Sequence, residues 1–201
     1  LKERPNVLRA AALFAVVTVT MTGCAGLSAS PQKDTYELTS VAPVPGPYSR
    51  KRQIVVTDPA ALRSLDGTDI VVRTSPSSIQ YLAASQWNDN LPAVIQEKLV
   101  QAFEDSDRLG GVGKPGDGIA VDYLLSSTVR AFEIETGGAA AARVEISVRL
   151  IDDRNGVIKA QQVFRATWPV SGSSAEAFIS ALDRAHAAVI REIVAWTLQR
   201  V

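Results

Sequence analysis

Cys24 is the only cysteine in this chain and His186 the only histidine. A thiol nucleophile needs a base within hydrogen-bond reach, and a serine triad needs an imidazole. His186 falls beside the apolar stripe of a C-terminal helical pattern. That setting suits a partly buried, hydrogen-bonded structural residue better than a general base. No Gly-x-Ser-x-Gly is present to supply a serine nucleophile. One thiol and one imidazole cannot make a Cys/His zinc centre, and no disulfide can close within the chain. Asp152-Asp153 offers paired carboxylates, but neighbours at a strand end point to opposite sides and a turn is the ordinary place for Asp. The glycine-rich 110–118 (GGVGKPGDG) lacks the GxxxxGK[ST] spacing and follows a helical pattern, so it reads as a loop and not a phosphate cradle. Arg50-Lys51-Arg52 reads as a solvated loop, and Trp87, Trp168 and Trp196 as core or interface anchors without a basic patch around them. The expectation is a non-enzyme with no cofactor and no metal.

Cys24 has a different chemistry open to it. Lys2, Arg4 and Arg9 are opposed only by Glu3, an uncharged stretch follows over 10–21 (AAALFAVVTVTM), and then come Thr22, Gly23 and Cys24. A basic segment, a short apolar core and a small-residue site have the layout of a secretory signal. The apolar stretch falls well short of the roughly 20 residues of a spanning helix. Met21-Thr22-Gly23-Cys24 resembles the lipobox of bacterial lipoproteins, with Met in place of the usual Leu. The resemblance implies that Cys24 is diacylglyceryl-modified and becomes the first residue of the mature chain. Two or three acyl chains, at about 0.8 kcal/mol per buried CH2, would hold it on a membrane. Ala25 and Gly26 follow with no Asp, which by similarity to enterobacterial sorting signals implies the outer membrane. Cleavage would leave 18 basic against 20 acidic residues, so charge draws the mature chain neither to nucleic acid nor to anionic lipid.

The remaining chain divides into 1–23 as signal peptide, 24–34 as a flexible tether and 35–201 as one α+β domain. Short β-prone runs occur at 35–39, 53–57, 69–73 and 79–82. Leu91, Val94, Ile95, Leu99, Ala102 and Phe103 form a helical stripe. Asn90 or Asp89 can cap it, Pro92 suits its first turn, and Gly110-Gly111-Val112-Gly113 ends it. Val144, Ile146, Val148 and Leu150 alternate with Arg143, Glu145, Ser147 and Arg149, a strand with one wet face. Ile158, Ala160, Phe164, Ala166 and Trp168 line a following strand. The preceding stretch, 119–134, is apolar at odd positions up to Leu125 but at even positions at Phe132 and Ile134. A period of two cannot change parity without an extra residue, so a β-bulge is expected near Arg130-Ala131. The stretch 174–199 is a long amphipathic helix, with Ser173 and Glu176 matching a capping box. The expected architecture is an antiparallel sheet with a three-strand C-terminal meander and two helices on one face.

In this order the elements resemble the ABC-type transport auxiliary lipoprotein family, which includes the PqiC-like lipoproteins. The resembling residues are the lipobox, Tyr36-Glu37-Leu38, Ile70-Val71-Val72-Arg73, Ile79-x-Tyr81, and Trp87-x-x-x-Leu91-Pro92 opening the first helix, then the meander and the last helix. The resemblance implies a lipid-anchored, periplasm-facing, non-catalytic subunit. Its partners would be an ABC permease, its ATPase and an MCE-domain (mammalian cell entry) substrate-binding protein, in a system moving lipids or hydrophobic solutes between the two membranes. A homo-oligomer is part of the same expectation. A structural or assembly lipoprotein of the outer membrane with no ABC partner is the alternative.

Overall fold

The computed structural model describes residues 32–201, so Cys24 and the expected signal and most of the expected tether lie outside the described residues. Nine strands and two helices follow in the order β1 (Asp34–Tyr36), β2 (Ser49–Val56), β3 (Ala60–Ala61), β4 (Asp69–Ser75), β5 (Ser78–Trp87), α1 (Leu91–Ser106), β6 (Leu109–Gly113), β7 (Tyr123–Glu135), β8 (Ala141–Asp152), β9 (Val157–Pro169) and α2 (Ala175–Leu198).

The spine of the sheet is β7. One edge pairs with β8 in antiparallel register along its length, and β8 pairs with β9 in the same way. These are the three strands of the expected meander. The other edge of β7 is shared in succession by β2, β3 and β4, all parallel to it. Beyond β2 lies β6, and beyond β4 lie β5 and then β1. The sheet is therefore mixed, and it forks along one side of β7.

The parity change in β7 is resolved by a bulge. Val129 pairs with Ile146 and Ala131 pairs with Glu145, leaving Arg130 unmatched. Tyr123, Leu125 and Val129 before it, and Phe132 and Ile134 after it, all reach the core. β7 begins later than the apolar pattern suggests, at Tyr123, leaving Ile119 and Val121 outside it. Just before the strand, the Asp122 carboxylate accepts hydrogen bonds from the Gln53 N–H, Arg52 and Arg154.

Both helices pack on one face of this sheet. In α1 the stripe Leu91, Val94, Ile95, Leu99, Ala102 and Phe103 is buried. Its end is set by Asp107, a left-handed residue at φ 51° whose N–H reaches the Glu104 carbonyl. The glycines expected to end this helix instead build β6, a parallel neighbour of β2. At Gly110 an added Cβ would fall 2.2 Å from the Arg50 carbonyl oxygen, so only glycine allows the two backbones so close. Arg50 to Arg52, expected in a loop, lie within β2, and Arg50 and Arg52 pair with Asp107 and Asp122. The cap of α2 is Ser174, one residue later than expected, and its Oγ accepts from the Ala177 N–H at 3.3 Å.

Residues 37–48 cross the helix pair as a strap. Leu38, Val41 and Val44 are buried at every third position, the repeat of a polyproline II turn, among Pro43, Pro45 and Pro47. Thr39 donates its N–H and its hydroxyl to Asp183 of α2, at 2.8 and 2.7 Å. Ser40 donates to Gln101 of α1 at 2.8 Å. The Cα of Gly46 faces Leu198 so closely that a Cβ there would stand 2.8 Å from the leucine Cδ1.

Candidate docking face

The helix-free face of the sheet is wet, and its charges come from four strands. Arg73 on β4 grips Glu133 of β7 with two parallel hydrogen bonds, Nε to Oε1 at 2.8 Å and Nη2 to Oε2 at 2.9 Å. Glu133 is the cross-strand partner of Arg143 on β8. Arg143 donates in turn to Glu135 at 3.2 Å and to Glu145 at 3.0 Å. Glu145 stands opposite Arg165 of β9 and Ala131 of β7. It takes the Arg165 Nε at 3.0 Å, and Arg130, the bulge residue, at 3.7 Å. The alanine leaves room for the two arginines to converge.

Four arginines and three glutamates thus form a continuous ladder across β4, β7, β8 and β9. Glu133 and Glu145 are nearly closed off from water, with side chains 3% and 9% exposed. The Arg165 hydrogen bond, then that of Arg143, pulls the Glu145 carboxyl below its ordinary range despite the burial that opposes it. Glu133 likewise raises the pKa of Arg73. Arg73 and Glu145 are thus held in their charged forms by their partners. At one end of the ladder the β4–β5 and β7–β8 turns rise to either side of a cavity of about 580 Å³, lined by Arg73, Pro76, Glu135, Gly138 and Arg143 among others.

The residues singled out in the sequence are dispersed in the fold. His186 is fully buried in α2, not partly so, its ring 5.9 Å from that of Phe132. Neither ring nitrogen has a hydrogen-bond partner among the described residues, against the hydrogen-bonded role expected for it. Burial pushes its pKa down to about 4. Asp152 closes β8, and its carboxylate accepts the Arg154 N–H in the turn that follows. Trp87 and Trp196 are core residues, meeting Phe132 and Phe164 edge to face, while Trp168 is partly exposed. Among the described residues there is no group of three or more His, Cys, Asp or Glu side chains able to hold a metal. Nor is any described helix long and apolar enough to cross a membrane. The ladder itself was half visible in the sequence. The wet face of β8 gave Arg143 and Glu145, but Arg73 and Arg165 join only when remote strands align. Acidic residues on the wet register after the bulge, Glu133 and Glu135, were the available signal.

A forked mixed sheet with two helices on one face and an open, charged opposite face places this domain in the α+β class. The family of ABC-type transport auxiliary lipoprotein components matches residues 36–194, and the chain belongs to it. A crystal structure of protein XCC0632 from Xanthomonas campestris, of family DUF330, is similar with a TM-score of 0.77. It is 30% identical and the match covers 83% of this chain and 95% of that one. PelC from Paraburkholderia phytofirmans, crystallised as a dodecamer, shares the fold at a TM-score of 0.50 and 16% identity, over 78% of this chain and 96% of that one. An uncharacterized protein of Bradyrhizobium diazoefficiens is 26% identical over 180 residues, 88% of this chain. The chain spans about half, 48%, of that relative's length.

Proposed function

We propose that this chain is a non-catalytic, lipid-anchored auxiliary subunit of an ABC transporter in a Gram-negative envelope. It assists the movement of lipids or hydrophobic solutes between the inner and outer membranes. The observation that carries the reading is the family match over residues 36–194. Acylation of Cys24 supplies the anchor, at the outer membrane and facing the periplasm. The arginine–glutamate ladder supplies the docking face: it is broad, fixed in charge and uncovered by helices. Its partners in this reading are the MCE-domain substrate-binding protein and, through it, the permease and ATPase. Homo-oligomers of the chain would repeat the face around the conduit.

Affinity purification of the acylated protein from crosslinked, detergent-solubilised envelopes tests this. The expected co-purifying proteins, by mass spectrometry, are an MCE-domain protein with a permease and an ATPase. Recovery of the lipoprotein without them, under conditions that hold a known envelope complex together, overturns the transporter assignment.

A further inference from the structure

A cleft opens where the end of β9 meets the exposed flank of α2. Trp168 is 38% exposed there, whereas Trp87 and Trp196 are buried. Arg184 lies over the Trp168 ring, its guanidinium carbon 5.6 Å from the ring centre. Arg184, Ala187 and Arg191 stand at i, i+3 and i+7, which places them on one side of the helix. With Trp168 they line a cavity of about 300 Å³. A second cavity of about 110 Å³, lined by Ala177, Ser180 and others, shares Trp168 and Arg184 with it.

Among the described residues neither Arg184 nor Arg191 takes part in an ion pair. The nearest acids in sequence do not compensate them. Asp183 is occupied by both donors of Thr39. Glu192 follows Arg191 directly and so projects about 100° away around the helix. The cleft therefore has two unneutralised guanidinium groups as jaws, an alanine floor that lets a ligand approach the helix, and an indole face as one wall. Guanidinium forks match the oxygens of a phosphate, and tryptophan suits the border between a polar head and an apolar chain.

We propose that this cleft binds the phosphate group of a phospholipid headgroup, with the phosphate between Arg184 and Arg191 and the adjoining glycerol and first chain carbons against Trp168. The site lies on the helix side of the sheet, away from the charged ladder, and is independent of the docking reading. Loss of lipid binding would leave co-purification of the transporter subunits unchanged.

The test is tryptophan emission of the full chain in a phosphate-free detergent, titrated with dihexanoylphosphatidylglycerol. A saturable change is expected in the wild-type protein and none in Trp168→Phe. Arg184→Gln and Arg191→Gln should each weaken binding about tenfold, the loss of one charge-assisted contact. Both arginines are exposed, so the far-UV spectrum of each variant should match wild type. Lys51→Gln, on β2, should bind like wild type. Dihexanoylglycerol, which lacks the phosphate, should give no change, and inorganic phosphate should bind at least about tenfold more weakly than the lipid. Wild-type affinity in both arginine variants overturns the proposal. So does an equal loss in Lys51→Gln, which would mean diffuse charge attraction. Inorganic phosphate binding as tightly as the lipid would assign the cleft to a free anion, and tighter binding of a glutamate-rich peptide would assign it to an acidic protein segment; either result overturns the lipid assignment.

Discussion

Replacing His186 with leucine should flatten the pH dependence of stability between pH 7.5 and 5. The imidazole is fully buried, and burial lowers its pKa from an ordinary 6.5 to about 4; Lys98 adds to the lowering and Asp183 opposes it. An unfolded chain binds a proton at His186 as the pH falls through 6.5, while the folded chain does so only near 4. Stability contributed by the neutral ring is therefore complete above pH 6.5 and drains away on acidification. The full loss, reached below pH 4, corresponds to about 3 kcal/mol, and about 2 kcal/mol of it should be gone by pH 5. Asp122 and Glu145, whose carboxyls are lowered, begin to lose their contribution only as the pH falls into the ordinary carboxylate range, below about 5, and lose the rest at still lower pH. The interval from 7.5 to 5 thus isolates the histidine. Leucine removes two orphaned nitrogens and fills similar space, so His186→Leu should be at least as stable as wild type at pH 7.5, by about 1 kcal/mol. Urea unfolding at the two pH values measures both quantities. With a slope of about 2 kcal/mol per molar, the wild-type midpoint should drop by about 1 M between pH 7.5 and 5, while the variant's moves little. A wild-type midpoint that stays put, or a variant that falls equally far, would refute the reasoning.

Three further outcomes follow from the geometry. Glu133→Ala removes the carboxylate that Arg73 grips with two hydrogen bonds, and should cost about 2 to 3 kcal/mol in urea unfolding, since Arg73 is only partly able to rehydrate. Gly110→Ala drives a methyl against the Arg50 carbonyl oxygen, should cost about 2 to 4 kcal/mol, and should lower the thermal midpoint by separating β6 from β2. Wild-type protein should incorporate labelled palmitate and Cys24→Ser should not; an unlabelled wild type, or equal labelling of the variant, would count against the acyl anchor.

What could be read from the sequence was what is local. Strand β8 announced itself because its partners cover one face only, so Val144 to Leu150 alternate cleanly. The bulge at Arg130 was legible for the same reason: two halves of one strand obey opposite parities and must share one core. The helices carried their stripes in the order of their residues; the cap of α2 slipped from Ser173 to Ser174, two serines standing side by side, and α1 stopped at Asp107 rather than at the glycines. The parallel joining of β2, β3 and β4 to one edge of β7 had no local signal. Nor did β6, whose glycines serve a close approach to a strand more than fifty residues away. The charged ladder was hidden in the same manner. Each arginine looks like an ordinary wet-face residue until cross-strand register supplies its glutamate. For His186, position beside the stripe was right, but depth depended on Phe132 and the helix packing, which set its full burial and left its nitrogens without partners.

The strap bears on the order in which the molecule can assemble. Its hydrogen-bond partner Asp183 lies 144 residues further along the chain than Thr39, and Leu198, which closes on Gly46, is the last residue of α2. Synthesis runs from the N-terminus, so a segment made early is among the last that can be seated. Closing so long a loop is slow relative to local helix and hairpin formation, and the cost falls on the loop-closure step. Until α2 is made, Thr39 lacks its Asp183 acceptor and Gly46 its Leu198 neighbour, so the strap cannot be fully seated. Two segments far apart in the chain thus set one late event between them: the final turn of α2 licenses the strap.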